Sequence, residues 1–167
     1  MPRIWIATLG LIFALSAFTP GALGQTNSYK QTNLTSDTAG VAANVDPNLV
    51  NPWGMAFFPN SPFWIADNNS GFTTLYNASG MNTGSFPVPH AAANTGLSTP
   101  TGIVANTTGA GFAVNGTPGV FILDSEDGAI TSWNGTDPVT IKVDNSAAGA
   151  VYKGLALITN SSGTFLL

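Results

Sequence analysis

The chain contains no cysteine and only one histidine, His90. The first absence excludes a disulfide framework, a thiolate nucleophile and any zinc site built on cysteine. The second excludes metal or catalytic clusters that need two imidazoles. Charge is scarce as well: charged residues make up 7% of the 167, and the net charge is −4. A surface so poor in Lys and Arg cannot neutralise a run of phosphates, so nucleic acid is not an expected partner. Long amphipathic helical stretches are missing too. What remains is 44% hydrophobic, which is the composition of a folded chain rather than a disordered one.

Residues 1–24 read as a secretory signal peptide. MPR gives a positive start, IWIATLGLIFALSAF an apolar run, and TPGALG a small-residue cleavage site with Ala22 and Gly24 before Gln25. An uncleaved anchor, the competing reading, would want about 18 or more apolar residues. The expected mature protein is secreted or extracytoplasmic, in a periplasm or at a cell surface, with no stable membrane span after cleavage.

The rest of the chain repeats itself. FWIADNNSGFTTLYN (63–77) and VFILDSEDGAITSWN (120–134) share a pattern: apolar residues, Asp, a polar turn, Gly, an alternating run, an aromatic and Asn. NPWGMAF (51–57), TPTGIVA (99–105) and VYKGLAL (151–157) share a glycine, Gly54, Gly102 or Gly154, ahead of alternating apolar residues. SFPVP (85–89) and TIKVD (140–144) supply a fourth short strand per unit. Short strands between Gly, Pro, Asn and Asp turns are a β pattern. Four-stranded units at this spacing predict an all-β protein, a β-propeller in particular. A β-sandwich explains short strands equally well but gives no reason for a repeat.

The expected organisation is an N-terminal closing strand and its following loop over 25–50, a first blade over 51–98 and a second over 99–150. A third blade begins at 151–167 and is incomplete. NLTSDTAGVAA (33–43) resembles IKVDNSAAGA (141–150), so residues 29–36 read as a lone fourth strand whose receiving partner is not in the sequence. The chain therefore reads as an N-terminal piece of a longer protein. Its expected partners are further blades of that protein or other copies of itself, and alone it is expected to oligomerise, aggregate or stay partly unfolded.

The segments DPNLVNPWGMAF, FWIADNNSGFTTLYN, TPTGIV, EDGAITSWN and VDNSAAGAVYKGLAL together resemble the N-terminal part of an uncharacterised family of secreted bacterial proteins. Some members of that family carry a PEP-CTERM sorting tail. The resemblance implies a propeller-like fold in the style of NHL repeats. It implies no catalytic residue.

If the four strands of each unit run up and down in turn, several polar residues open on one face. Asp67 and Asp124 end the second strands there; His90 and Asp144 lie in the loops that lead to the next unit. Trp53, Thr101 and Lys153 precede the three repeated glycines, where the innermost strands would ring a channel. Trp53, Asp67, Asp124, Asp144 and Lys153 are accordingly the candidate ligand-binding residues, on the concave mouth that small-molecule sites favour. The competing reading of both aspartates is structural, since Asp before a polar turn bonds nearby backbone N–H groups. The repeated glycines read as places of close backbone approach or strand irregularity, and Trp64, Tyr76, Phe121 and Trp133 as packing residues.

DSEDGAI (124–130) puts Asp124, Glu126 and Asp127 ahead of Gly128, a set of hard oxygen donors that would suit Ca²⁺. It lacks the remaining EF-hand spacing, and a solvated turn explains it as well. His90, in PVPHAAA, would need a partner within hydrogen-bond reach to act as a base, and no nucleophile elbow or phosphate loop accompanies it. No catalytic residue and no required cofactor are assigned. Three classes stand: an extracytoplasmic binding or interaction module, a metal-assisted hydrolase or lactonase, and a surface-anchored structural protein. The first is the reading adopted.

Overall fold

The computed structural model describes residues 28–167; the signal peptide expected over 1–24 lies outside them. The chain divides into two compact units at Gln31/Thr32, and the architecture below is that of the second, Thr32–Leu167.

Twelve strands follow in order: β1 Thr35–Ser36, β2 Asn44–Val45, β3 Pro52–Ala56, β4 Phe63–Asp67, β5 Phe72–Tyr76, β6 Asn82–Pro87, β7 Pro100–Ala105, β8 Phe121–Ser125, β9 Ala129–Trp133, β10 Thr140–Asp144, β11 Leu157–Asn160 and β12 Gly163–Leu166. β3 to β6 form one four-stranded sheet and β7 to β10 another, each with neighbours in chain order and every pairing antiparallel. β11 and β12 make a separate hairpin. The sequence turns at Gly and Asn between alternating apolar runs, so each strand bonds the one before it. The protein is all-β, as the composition and repeats imply. The described residues form no closed ring, and two four-stranded sheets plus a hairpin are fewer than the four units a propeller needs at minimum.

The two sheets meet through aromatic side chains. The Trp64 ring stacks on Phe121 with centroids 4.4 Å apart and planes at 20°. It also lies parallel to Phe86 at 5.5 Å and touches Trp133 at 4.6 Å. Ala56, Ala66, Leu75, Val88, Ile103, Leu123 and Val139 complete this core. Large aromatic rings remove more apolar surface from water than any other side chain, so four of them dominate the joint.

The first strands of the two sheets also pack side by side. A Cβ added to Gly54 would lie 2.5 Å from the Thr101 carbonyl oxygen, and one on Gly102 would collide with the backbone N and Cβ of Leu155. Both glycines sit at a break in the ladder, between Pro52 and Met55 in β3 and between Pro100 and Ile103 in β7. Gly54 and Gly102 thus combine an irregular strand with a backbone packed against another, whereas Gly154 lies before β11 and meets nothing within 4 Å.

Two segments differ from expectation. Of residues 29–36 only Thr35–Ser36 is a strand, and it pairs in parallel with Asn44–Val45. The segment it belongs to is held on the first sheet by polar bonds: Asn44 Nδ2 donates to Ser79 O at 3.0 Å and the Tyr76 hydroxyl to Asp46 Oδ2 at 2.7 Å. In the third unit the strand expected over 151–157 begins only at Leu157. There Ala156 and Leu167 exchange backbone hydrogen bonds at 2.9 Å, next to the Leu157–Leu166 pair.

Candidate functional site

Asp67 and Asp124 are closed to solvent, at 0% and 1% exposure, and Asp124 borders a cavity of about 280 Å³ shared with Tyr152, Leu155 and Leu166. Their matching place in the sequence pattern conceals a one-residue difference in pairing. Asp67 lies opposite Pro52, whereas the residue opposite Pro100 is Ser125. A slip of one residue turns a side chain to the other face of its sheet, and the two carboxylates accordingly look in opposite directions. Asp124 Oδ1 accepts from the Thr101 hydroxyl at 2.8 Å and from the Gly102 N–H, stitching β8 to the irregular start of β7. Asp67 Oδ2 accepts from Thr74 at 2.7 Å, while its Oδ1 is buried with no hydrogen-bond partner among the described residues. Burial first, and the nearby Asp46 carboxylate second, push the Asp67 carboxyl up to about 7.

Asp144 is a clasp between loops. It accepts from the Ala92 N–H at 2.8 Å and the Ser146 N–H at 3.0 Å, and the bonds from Ser146 and Ala92 hold its carboxyl below the usual range. Asp127 does the same for the Ala91 N–H at 3.0 Å. His90 turns its Nδ1 to the Ala91 carbonyl, 3.0 Å away, so the two nearby carboxylates bind the backbone of its loop rather than its ring. The acidic turn is no cage either. Asp124 points to Gly102, Glu126 to Lys153 and Asn68, and Asp127 to the loop after β6. Among the described residues no group of three His, Cys, Asp or Glu could hold a metal ion.

Trp53 and Lys153 do come together. The Lys153 ammonium lies 5.4 Å from the centroid of the Trp53 ring and pairs with Glu126. Lys153 and Asn68 are the neighbours that keep the Glu126 carboxyl below its ordinary range. Asn68 Nδ2 donates to Glu126 Oε2 at 3.0 Å, and Asn51 Nδ2 donates to Asn68 Oδ1 at 3.2 Å and Asn69 Oδ1 at 3.3 Å. A continuous polar chain therefore runs from the β4–β5 turn across the β8–β9 turn to the segment before β11. Trp53 remains 46% exposed, and the groove beside it, about 290 Å³, is floored by Gly54, Gly102 and Gly154. Asn51 holds a positive φ of 53°, a conformation that Asn tolerates better than most residues and that aims its amide at the turn. Thr101, the third residue of the expected ring, is 1% exposed and spent on Asp124.

Sequence reading found Trp53 and Lys153 through their place before the glycines. It missed Asn51 and Asn68, whose only local signal is one of many Asn-rich turns. An aromatic face flanked by amides, a carboxylate and an ammonium can stack on a planar or apolar ligand surface while its rim exchanges hydrogen bonds.

Two uncharacterised proteins of Acanthamoeba polyphaga mimivirus are similar to this chain. One is 37% identical over 139 residues, which is 78% of this chain and 34% of the relative. The other is 32% identical over 144 residues, 80% of this chain and 37% of the relative. The chain spans about a third of the length of these relatives. They replace the resemblance to secreted bacterial proteins, which the comparisons overturn: the relatives found are viral. No family model matches the chain, and no solved structure does.

Proposed function

We propose that the two four-stranded units are blades of a β-propeller and that the protein is an extracytoplasmic binding or interaction module working through the face around Trp53. One observation carries this reading. An exposed tryptophan is pinned by Lys153 at the point where the first strands of successive units pack together, beside a connected row of polar side chains. Strand β3 holds the Trp53 ring, and hydrogen bonds to Asn68 and Asn51 hold the Glu126–Lys153 pair, so a ligand meets a preformed surface and the ordering cost is already met. Two of the repeated glycines support the blade assignment, because Gly54 brings β3 against β7 and Gly102 brings β7 against the segment before β11. The N-terminal sequence supports export, and among the described residues no helix is long and apolar enough to cross a membrane.

Small-molecule, glycan and peptide panels screened with the full chain test the reading, alongside Trp53→Ala and Lys153→Ala. A ligand whose affinity falls about tenfold or more in both variants, and not in Asp37→Ala, which alters an exposed residue between β1 and β2, is the expected result. Binding that ignores both substitutions, or no binding across the panels, rules the face out. Sequencing the N-terminus of protein secreted by an expressing cell tests export, with Gln25 the expected first residue.

A further inference from the structure

Asp67, Thr74 and Tyr76 share one face of the first sheet, and all three are buried. Residues two apart on a strand point the same way, and residues opposite each other on a ladder share a face. The Thr74 hydroxyl donates to Asp67 Oδ2 and, two residues on, the Tyr76 hydroxyl donates to Asp46 Oδ2, both at 2.7 Å. The row leads from the interior of the sheet to the segment ahead of β3. A carboxylate stands at each end of it, and Asp67 Oδ1 has no partner among the described residues.

Residues 46–51, between β2 and β3, cross this row as a strap. At one end Asp46 is hooked to the sheet: its Oδ2 accepts from the Tyr76 hydroxyl and Asn82 Nδ2, and its Oδ1 from the Asn48 N–H at 2.9 Å. The other end lies on the β4–β5 turn, into which Asp67 leads. There the Ser70 hydroxyl donates to Asn48 O at 2.6 Å, and the Asn69 and Asn68 N–H groups donate to Val50 O and Asn51 O, each at 3.2 Å. Between the two ends, Leu49 lines the same hollow as Ile65 and Tyr76.

Asp46 is the charge that acts on Asp67, and Tyr76 is the other titratable group of the row. β3, β4, β6 and β7 bring no other charged side chain. In the adjoining loops, Glu126 is paired with Lys153 and His90 turns to the Ala91 carbonyl. Burial works to raise the Asp46 carboxyl, but bonds from Tyr76, the Asn48 N–H and Asn82 outweigh it and hold the group below its ordinary range. Asp46 is therefore ionised while Asp67, pushed up to about 7 chiefly by burial, keeps its proton. A second charge in the row needs water, or the departure of the first. Lifting the strap supplies both for the loss of the Asp46 hook and three hydrogen bonds to the turn. Parting β4 from β3 or β5 would break a ladder.

We infer that residues 46–51 are a pH-operated strap, seated while Asp67 holds its proton and lifted when Asp67 ionises. In the lifted state Asp67 is hydrated and its carboxyl returns to the ordinary range. The opening constant therefore climbs by up to about tenfold per pH unit from that range to about 7 and levels off above it. Between pH 5 and pH 8 the rise is about a hundredfold. Asn51, the last residue of the strap, also bonds Asn68 and Asn69 in the polar row beside Trp53, so lifting loosens one end of that row. The strap works whether or not the Trp53 face binds a ligand.

Amide hydrogen exchange of the full chain, followed by NMR and corrected for the intrinsic effect of pH, reads the strap through the Asn68 and Asn69 N–H groups. These are expected to exchange faster than the β4–β5 ladder and to ignore urea too dilute to unfold the protein, as a local opening does. Their exchange should rise about a hundredfold from pH 5 to pH 8 in wild type and stay at its pH 5 level in Asp67→Asn. Tyr76→Phe, which unhooks Asp46, should speed it at both pH values. Asp67→Ser replaces Asp67→Asn if circular dichroism shows the latter to be unfolded. Strap amides that exchange only in step with the ladder overturn the inference. So does exchange that does not rise with pH, a rise that persists without the Asp67 carboxyl, or a Tyr76→Phe variant that exchanges as wild type.

Discussion

The Thr74 hydroxyl donates to Asp67 Oδ2 at 2.7 Å, and among the described residues the carboxylate's Oδ1 is buried without a partner in the interior of the first sheet. The partner is too little for a buried charge. Desolvation wins, and the carboxyl is raised from the ordinary 3.8 to about 7.

A pH dependence of stability follows. Between the unfolded and folded values the native protein keeps a proton that the unfolded chain has lost, so stability is greatest below about pH 4 as far as Asp67 is concerned. It falls as pH rises towards 7, by about 4 kcal/mol for a displacement of this size. Asp67→Asn mimics the protonated form and is expected to raise stability at pH 8 and flatten this slope. Asp46, Glu126 and Asp144 are held below their ordinary range and act in the opposite sense at lower pH. Urea denaturation of wild type and Asp67→Asn at pH 5 and pH 8 isolates Asp67 in the difference.

The glycines separate into two classes. Gly54→Ala places a methyl against the β7 backbone and Gly102→Ala one against the backbone of Leu155, and each is expected to cost about 2 kcal/mol or more. Gly154→Ala meets nothing within 4 Å and is expected to be within about 0.5 kcal/mol of wild type. Equal costs at all three positions would mean that the glycines serve backbone conformation alone. Thermal or urea unfolding of the three variants decides.

Trp64 carries the joint between the sheets. Trp64→Ala is expected to cost about 3–5 kcal/mol and Phe121→Ala a similar amount. Because the rings touch, the double variant should cost less than the sum by about 0.5–1.5 kcal/mol. A double-mutant cycle by urea unfolding measures that coupling.

Asp124→Ala removes the acceptor of two donors that stay buried, the Thr101 hydroxyl and the Gly102 N–H, and is expected to cost about 1–3 kcal/mol. Asp124→Asn keeps an oxygen for both and should cost less. If the two variants are equally destabilised, the carboxylate acts through its charge rather than as an acceptor. Equilibrium unfolding of both at one pH above 6 gives the comparison.

The order of the strands could be read from the repeat because alternation and turn residues are local properties. So could the role of Gly54 and Gly102, and the burial of Trp64 and Phe121, since the same features recur wherever a unit recurs. The neighbours Asn51, Asn68, Glu126 and Lys153 could not, because each lies in a different unit or turn and only packing of the units brings them together. The partner of Thr35–Ser36 was hidden for a related reason: a two-residue parallel pairing leaves no periodicity to detect.

The amino-acid sequence by itself determined an all-β chain of repeated antiparallel units, through side chains that alternate and turns that break them. Only the tertiary structure decided which way each strand faces. The link between the first two strands is short in one unit, residues 57–62, and long in the other, residues 106–120. Pairing register answers to turn geometry and to what packs on each face, and a slip of one residue reverses every side chain. That is why two aspartates in the same place in the pattern look in opposite directions, one bracing a neighbouring strand and the other with its carboxyl pushed up by burial.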